Sequence, residues 1–160
     1  MIVLGLFAGT FFMLRSPKLQ VGSFVVAGIS VLDVTDIENN VKLQLEGKWL
    51  WFFPQTSTFL INKNAIESKL KKDFSRIEPV SVKRVDLQTL KIDIKEYDAA
   101  YLWCTGEDCY LMDKNGVVYN SAPVFSGNAY LKVVTSAPVE EVPFQAMTRA
   151  DIMRVADFAK

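Results

Sequence analysis

The sequence predicts an α+β protein: a β-α-α-β-β unit, then an incomplete β-rich unit with one helix. Three observations carry this. Residues 80–85 and 90–94 alternate apolar with polar, the period of half-buried strands. Two earlier segments place apolar residues four apart, along one helical face. After Ala99 the chain breaks into short β-prone runs separated by turn residues.

The first strand is expected within Phe24–Leu32, rich in branched and apolar residues around Gly28. Thr35-Asp36-Ile37-Glu38 has the form of a capping box. Ile37, Val41 and Leu45 then line one face of the first helix, which Gly47 is placed to stop. Lys48 to Ile61 is aromatic and apolar and is broken at Pro54. Asn64, with Glu67 three residues on, is the expected start of a second helix with the face Ile66, Leu70 and Phe74. Val80–Val85 and Leu90–Ile94, joined by a turn at Asp86–Gln88, form a hairpin.

In the second unit, Ala100–Cys104 and Cys109–Met112 are strands across Thr105–Asp108. Asp113-Lys114-Asn115-Gly116 is a strong turn signal, with Asn-Gly suited to positive φ. Val117–Tyr119 and Tyr130–Val134 are further strands. Pro138 and Pro143 mark an irregular link. Thr148 with Asp151 opens a last helix, with the face Ile152, Val155, Ala156 and Ala159. A few short strands and one helix without a C-cap make an incomplete core, so the protein is expected to continue past Lys160.

Met1 to Leu14 carries no charge, and Arg15 ends the run. At helical rise it would span about 21 Å, short of the roughly 30 Å hydrocarbon core. It reads as the outer part of a membrane span whose upstream residues lie outside this sequence. A signal peptide lacking a basic n-region and a core helix are the alternatives.

Composition narrows the function. Lys plus Arg and Asp plus Glu each number 18, so there is no basic excess for nucleic acid. The sequence has no histidine, which removes Ser-His-Asp and Cys-His catalysis and the commonest zinc ligand. Neither a phosphate-cradling glycine motif nor a G-x-S-x-G elbow is present. No catalytic, cofactor-binding or metal-binding residue is assigned, and no cofactor is expected. A carboxylate-based hydrolase would need two converging acids. Glu107, Asp108 and Asp113 are the nearest cluster, but they lie in predicted turns, where such residues serve turn chemistry.

Cys104 and Cys109 face each other across a predicted hairpin. Facing strand residues have Cα atoms about 4.5–5.5 Å apart, within disulfide range. The two read as a disulfide in an oxidising compartment, or else as two ordinary thiols. Trp49, Trp51, Phe52, Phe53 and Phe59 suit packing onto the domain better than contact with a bilayer interface. Lys69, Lys71, Lys72, Lys83 and Arg84 could form a basic surface for lipid or an acidic partner, but Glu67 and Asp73 dilute it toward an ordinary solvated face.

Several segments, in order, resemble the FtsQ/DivIB family of bacterial division proteins. Ser16-Pro17-Lys18-Leu19-Gln20-Val21 follows an apolar run, as in that family's entry from the membrane. Val26-Ala27-Gly28 is similar to its V-x-G, and Phe59-Leu60-Ile61-Asn62 to its lead into helix two. Val82-Lys83-Arg84 through Thr89-Leu90-Lys91-Ile92-Asp93-Ile94-Lys95-Glu96 is similar to its V-x-R…T-L-x-I-x-V-x-E stretch. Tyr110-Leu111-Met112-Asp113-Lys114-Asn115-Gly116-Val117-Val118-Tyr119 matches its D-x-x-G turn and flanking strands. The departures are Leu87 and Ala99, where the family has Pro, and Tyr97, where it has Arg.

The resemblance implies a partial transmembrane segment over 1–15, an FtsQ-type POTRA domain over 21–97, and the start of the family's C-terminal β domain over 98–160. It implies a non-catalytic, single-pass scaffold in the plasma membrane at the division septum, with its bulk outside the cytoplasm. Its partners would be FtsB/FtsL-type proteins and other divisome members of FtsK, FtsW and FtsI type, with no nucleic acid and no small-molecule substrate. In the implied POTRA arrangement the strand Val80, Ser81, Val82, Lys83, Arg84, Val85 is a sheet edge and a candidate docking strand. The alternative is a POTRA-bearing binding module of an envelope secretion or assembly system.

Overall fold

The computed structural model describes residues 16–46, 48–49, 53–54, 57, 61–125 and 129–158. The expected membrane segment over 1–15, the helix stop at Gly47, most of the aromatic stretch (Trp51, Phe52 and Phe59 among it) and Ala159 lie outside the described residues. Among the described residues no helix is long and apolar enough to cross a membrane. The protein is α+β, with three α-helices and mixed sheets among the described residues. The chain contacts divide it into two units. One holds the described residues up to Asp73 together with Pro79–Glu96, the other Phe74–Glu78 and Tyr97–Lys160.

The first unit opens with a 3-10 turn, Pro17–Leu19, and strand β1, Ser23–Ala27. β1 is shorter than the apolar run suggests, because the backbone turns at Gly28 (φ 85°). A Cβ there would run into the carbonyl oxygen of Ile94, so the position needs glycine for both its dihedral and its space. Helix α1 spans Val34–Leu45 and buries Ile37, Val41 and Leu45, the face that the four-residue spacing predicts. Its cap is not Thr35 but Asp33, whose carboxylate accepts from the Thr35 amide at 2.6 Å. β2 (Lys48–Trp49) and β3 (Phe53–Pro54) pair as a short antiparallel ribbon.

Helix α2 spans Lys63–Asp73 and buries Ile66 and Leu70, while Phe74 lies past its end. Asn62, rather than Asn64, caps it: its side-chain oxygen accepts from the Ala65 amide at 3.1 Å. In both helices the cap lies two residues before the expected one. Neighbouring Asp, Asn and Thr residues are near-equal caps locally. The helix start is then set by which register puts the apolar face on the sheet.

Strands β4 (Ile77–Arg84) and β5 (Thr89–Glu96) are adjacent, and the Val85 amide donates to the Thr89 carbonyl across the turn. A connection this short allows only antiparallel pairing. β5 buries Leu90, Ile92 and Ile94 in strict alternation. β4 does not alternate throughout: Ile77 is followed by Val80 and Val82, so the phase shifts at Pro79, which has no amide to donate. β1 runs parallel to β5, from Ser23 opposite Thr89 to Ala27 opposite Asp93, in a three-stranded sheet ordered β1-β5-β4.

The second unit holds β6 (Ala99–Thr105), β7 (Asp108–Asp113), β8 (Val117–Ser121), β9 (Leu131–Thr135), β10 (Phe144–Gln145) and helix α3 (Arg149–Phe158). The sheet order is β10-β8-β7-β6-β9, with β9 parallel to β6. Successive residues serve opposite faces. Leu102, Cys104, Leu111 and Tyr119 form one core, and Met112, Val118 and Ile152 the other. Thr148 caps α3: its hydroxyl donates to the Asp151 carboxylate at 2.6 Å and accepts from the Asp151 amide. Of the expected α3 face, Ile152 is buried, whereas Val155 is exposed.

Candidate protein-interaction edge

β4 stands at one end of the three-stranded sheet, with β5 on its inner side. Val80 and Val82 are buried, Ser81 is half-buried, and Lys83, Arg84 and Val85 are exposed. The strand therefore anchors two valines inward and leaves a charged end in solvent. An end strand offers amides and carbonyls that its own sheet does not use. One of them is already engaged. The Val82 amide donates to Oε1 of Glu67, on α2, at 2.7 Å. The sequence places Glu67 three residues after Asn64, the expected start of its own helix, but the side chain reaches a strand fifteen residues on.

The charges around this edge are largely balanced. Lys83 pairs with Asp93 at 3.7 Å, and Lys91 reaches the same carboxylate at 2.6 Å. The hydrogen bond from Lys91, with the charges of both lysines, holds the Asp93 carboxyl below its ordinary value. Lys69 pairs with Asp73 at 2.8 Å. There the Asn40 side chain and then Lys69 lower the Asp73 carboxyl. Lys71 and Lys72 stand in the last turn of α2, where cations suit the helix dipole. The set is an ordinary solvated face rather than one basic patch.

A second contact that the sequence did not disclose closes the loop after β1. Both oxygens of Glu96 serve it: Oε1 accepts from the amides of Ser30, Val31 and Leu32 at 2.7, 3.0 and 3.1 Å. Glu96 stood out only as part of a family-like stretch. Its partners lie more than sixty residues earlier in the chain, beyond the reach of any local pattern.

The acidic trio does not make a catalytic pair. Asp108 and Asp113 are the first and last residues of β7. Five residue-to-residue steps along the strand separate them by about 17 Å. The buried Asp113 carboxylate is used by the turn: it accepts from the Asn115 and Val117 amides and from Asn115 Nδ2, at 2.9, 2.8 and 2.8 Å. Gly116 completes that turn at φ 88°, where a Cβ would run into the Met147 carbonyl. Among the described residues no group of His, Cys, Asp and Glu could hold a metal ion. Cys104 and Cys109 are opposite each other on β6 and β7, with Cα atoms 4.1 Å apart, and are joined in a disulfide.

With the short β2–β3 ribbon set aside, the first unit runs β1-α1-α2-β4-β5, with β1 and β4 at the two edges around β5, the order expected of a POTRA module, a class of protein-interaction domain. Residues 19–97 match the family described as POTRA domain, FtsQ-type. Residues 19–97 are thus an FtsQ-type POTRA domain, which supports a division-related interaction module and is consistent with the FtsQ/DivIB family that the sequence resembles. No curated protein gave a significant match.

Proposed function

We propose that this protein is a non-catalytic, membrane-anchored scaffold of the bacterial division machinery, carrying the POTRA module outside the cytoplasm. It would connect early division proteins to an FtsB/FtsL-type pair and so to septal wall synthesis. The FtsQ-type match over residues 19–97 is the observation that carries this reading. The position of β4 at the end of its sheet supports Val80–Val85 as a docking strand.

Localisation tests the reading. The gene is tagged at its native locus with a cytoplasmic-side fluorophore, and dividing cells are imaged. A band at midcell is expected. An even membrane signal in normally constricting cells sinks the division assignment and leaves a POTRA module of envelope secretion or assembly. Val82→Pro then tests the edge: recruitment of division partners should fall. Unchanged recruitment by a folded Val82→Pro protein would remove β4 as the docking strand.

A further inference from the structure

We infer that Glu67 is a built-in gate on the β4 edge, so that strand addition there requires its carboxylate to swing aside. The inference rests on the reading of β4 as a docking strand. A chain added to a sheet edge binds by giving carbonyls to outward amides and taking amides onto outward carbonyls. The Val85 amide turns inward, to Thr89. Residues an odd number apart along a strand point their amides to opposite sides. The Val82 amide accordingly faces away from β5, and Glu67 Oε1 takes it at 2.7 Å.

This hydrogen bond imitates the first contact of an incoming strand. A carboxylate acceptor makes it stronger than an ordinary amide pairing. Its position is not incidental. Ile66 and Leu70, to either side of Glu67 in α2, are buried and anchor the helix. Glu67 itself stays half-exposed, free to rotate outward without disturbing that packing. The exposed Lys83 next to Val82 discourages casual pairing by charge. Glu67 adds a gate at the backbone level. A partner must displace the carboxylate, and a partner strand with a cation at the facing position would also offer it a new ion pair.

The test uses a fluorescein-labelled synthetic peptide with the sequence of β5, Thr89–Glu96, which already pairs with β4 on its inner side. Binding to the purified full chain is read by anisotropy. A control peptide with proline at alternate positions cannot make the ladder. Glu67→Ala should bind the β5 peptide about tenfold more tightly than the native protein. Glu67→Gln, which keeps an acceptor but loses the charge, should fall between them. The Val82 amide should exchange with solvent faster in Glu67→Ala than in the native protein. Equal affinity of native and Glu67→Ala proteins overturns the gate and leaves the docking edge standing. Failure of Glu67→Ala to bind the peptide in preference to its proline control overturns the docking edge and the gate with it.

Discussion

The two units of this chain solve the problem of a small core differently. The first buries aliphatic side chains of two helices and of its sheet: Ile37, Val41 and Leu70 from the helices, Val80 and Val82 from β4, and Leu90, Ile92 and Ile94 from β5. Ser57 is the one polar residue among its described, fully buried side chains, and long-range side-chain hydrogen bonds from Glu67, Glu96 and Asp73 tie its periphery. The second unit has one helix and five strands among its described residues, and aromatic and sulfur-containing side chains join aliphatic ones on both faces of its sheet. Tyr97 stacks on Tyr119 at 5.1 Å, and the Arg76 guanidinium lies 5.5 Å from the Tyr119 ring. It also carries the disulfide and a buried, fully used carboxylate. Where helices cover a sheet, aliphatic burial makes most of the core. Where strands must do so with little helix, covalent and polar ties take a larger share.

The largest effects should come from the glycine that each unit places against a carbonyl. Gly28→Ala and Gly116→Ala should each cost about 3 kcal/mol or more, since both a positive φ and a backbone collision oppose the new methyl. Amide exchange resolves the units: protection at Ile92 should collapse in Gly28→Ala, and protection at Met112 in Gly116→Ala. A loss that is uniform across both amides in either variant would mean that the two units unfold as one.

An intermediate effect separates the units chemically. Replacing Cys104 and Cys109 together by serine should cost about 2 kcal/mol by loop-closure entropy, an upper figure for so short a loop. Denaturant melts followed at Trp103, which packs in the second unit, should move, while exchange at Ile92 should not. Unchanged melts would place the hairpin's stability wholly in its ladder.

The smallest effect is one of pH, and its sign differs between units. Four aspartates of the first unit lie below their ordinary value: Asp33 and Asp86 through the amides of Thr35 and Gln88, Asp73 and Asp93 through Asn40 and Lys91. A depressed carboxylate contributes stability above its unfolded pKa and loses it as pH falls through the folded one. The first unit should therefore weaken below about pH 4. In the second unit burial pushes the Tyr119 phenol up, with Arg76 opposing. A raised pKa contributes stability below the unfolded value and loses it as pH rises through the folded one. The second unit should weaken above about pH 10. The Tyr119 hydroxyl is buried with no hydrogen-bond partner among the described residues. Tyr119→Phe should thus remove the alkaline loss at little cost near neutrality. Persistence of the alkaline transition in Tyr119→Phe would assign it elsewhere.

By itself the sequence determined what depends on near neighbours. The faces Ile37/Val41/Leu45 and Ile66/Leu70, the alternation of Leu90, Ile92 and Ile94, and the Asp113–Gly116 turn were all legible, because periodicity and turn chemistry act within a few residues. Caps were legible only to within two residues, since Asp33 competes with Thr35 and Asn62 with Asn64 on nearly equal local terms. Tertiary structure decided the parallel pairings β1–β5 and β6–β9 and the short β10 strand beside β8. It also decided the second use of two carboxylates, Glu67 on Val82 and Glu96 on the Ser30–Leu32 amides. These contacts join residues far apart in the chain. Their partners are backbone amides, which every residue but proline carries, so no side-chain pattern could announce them.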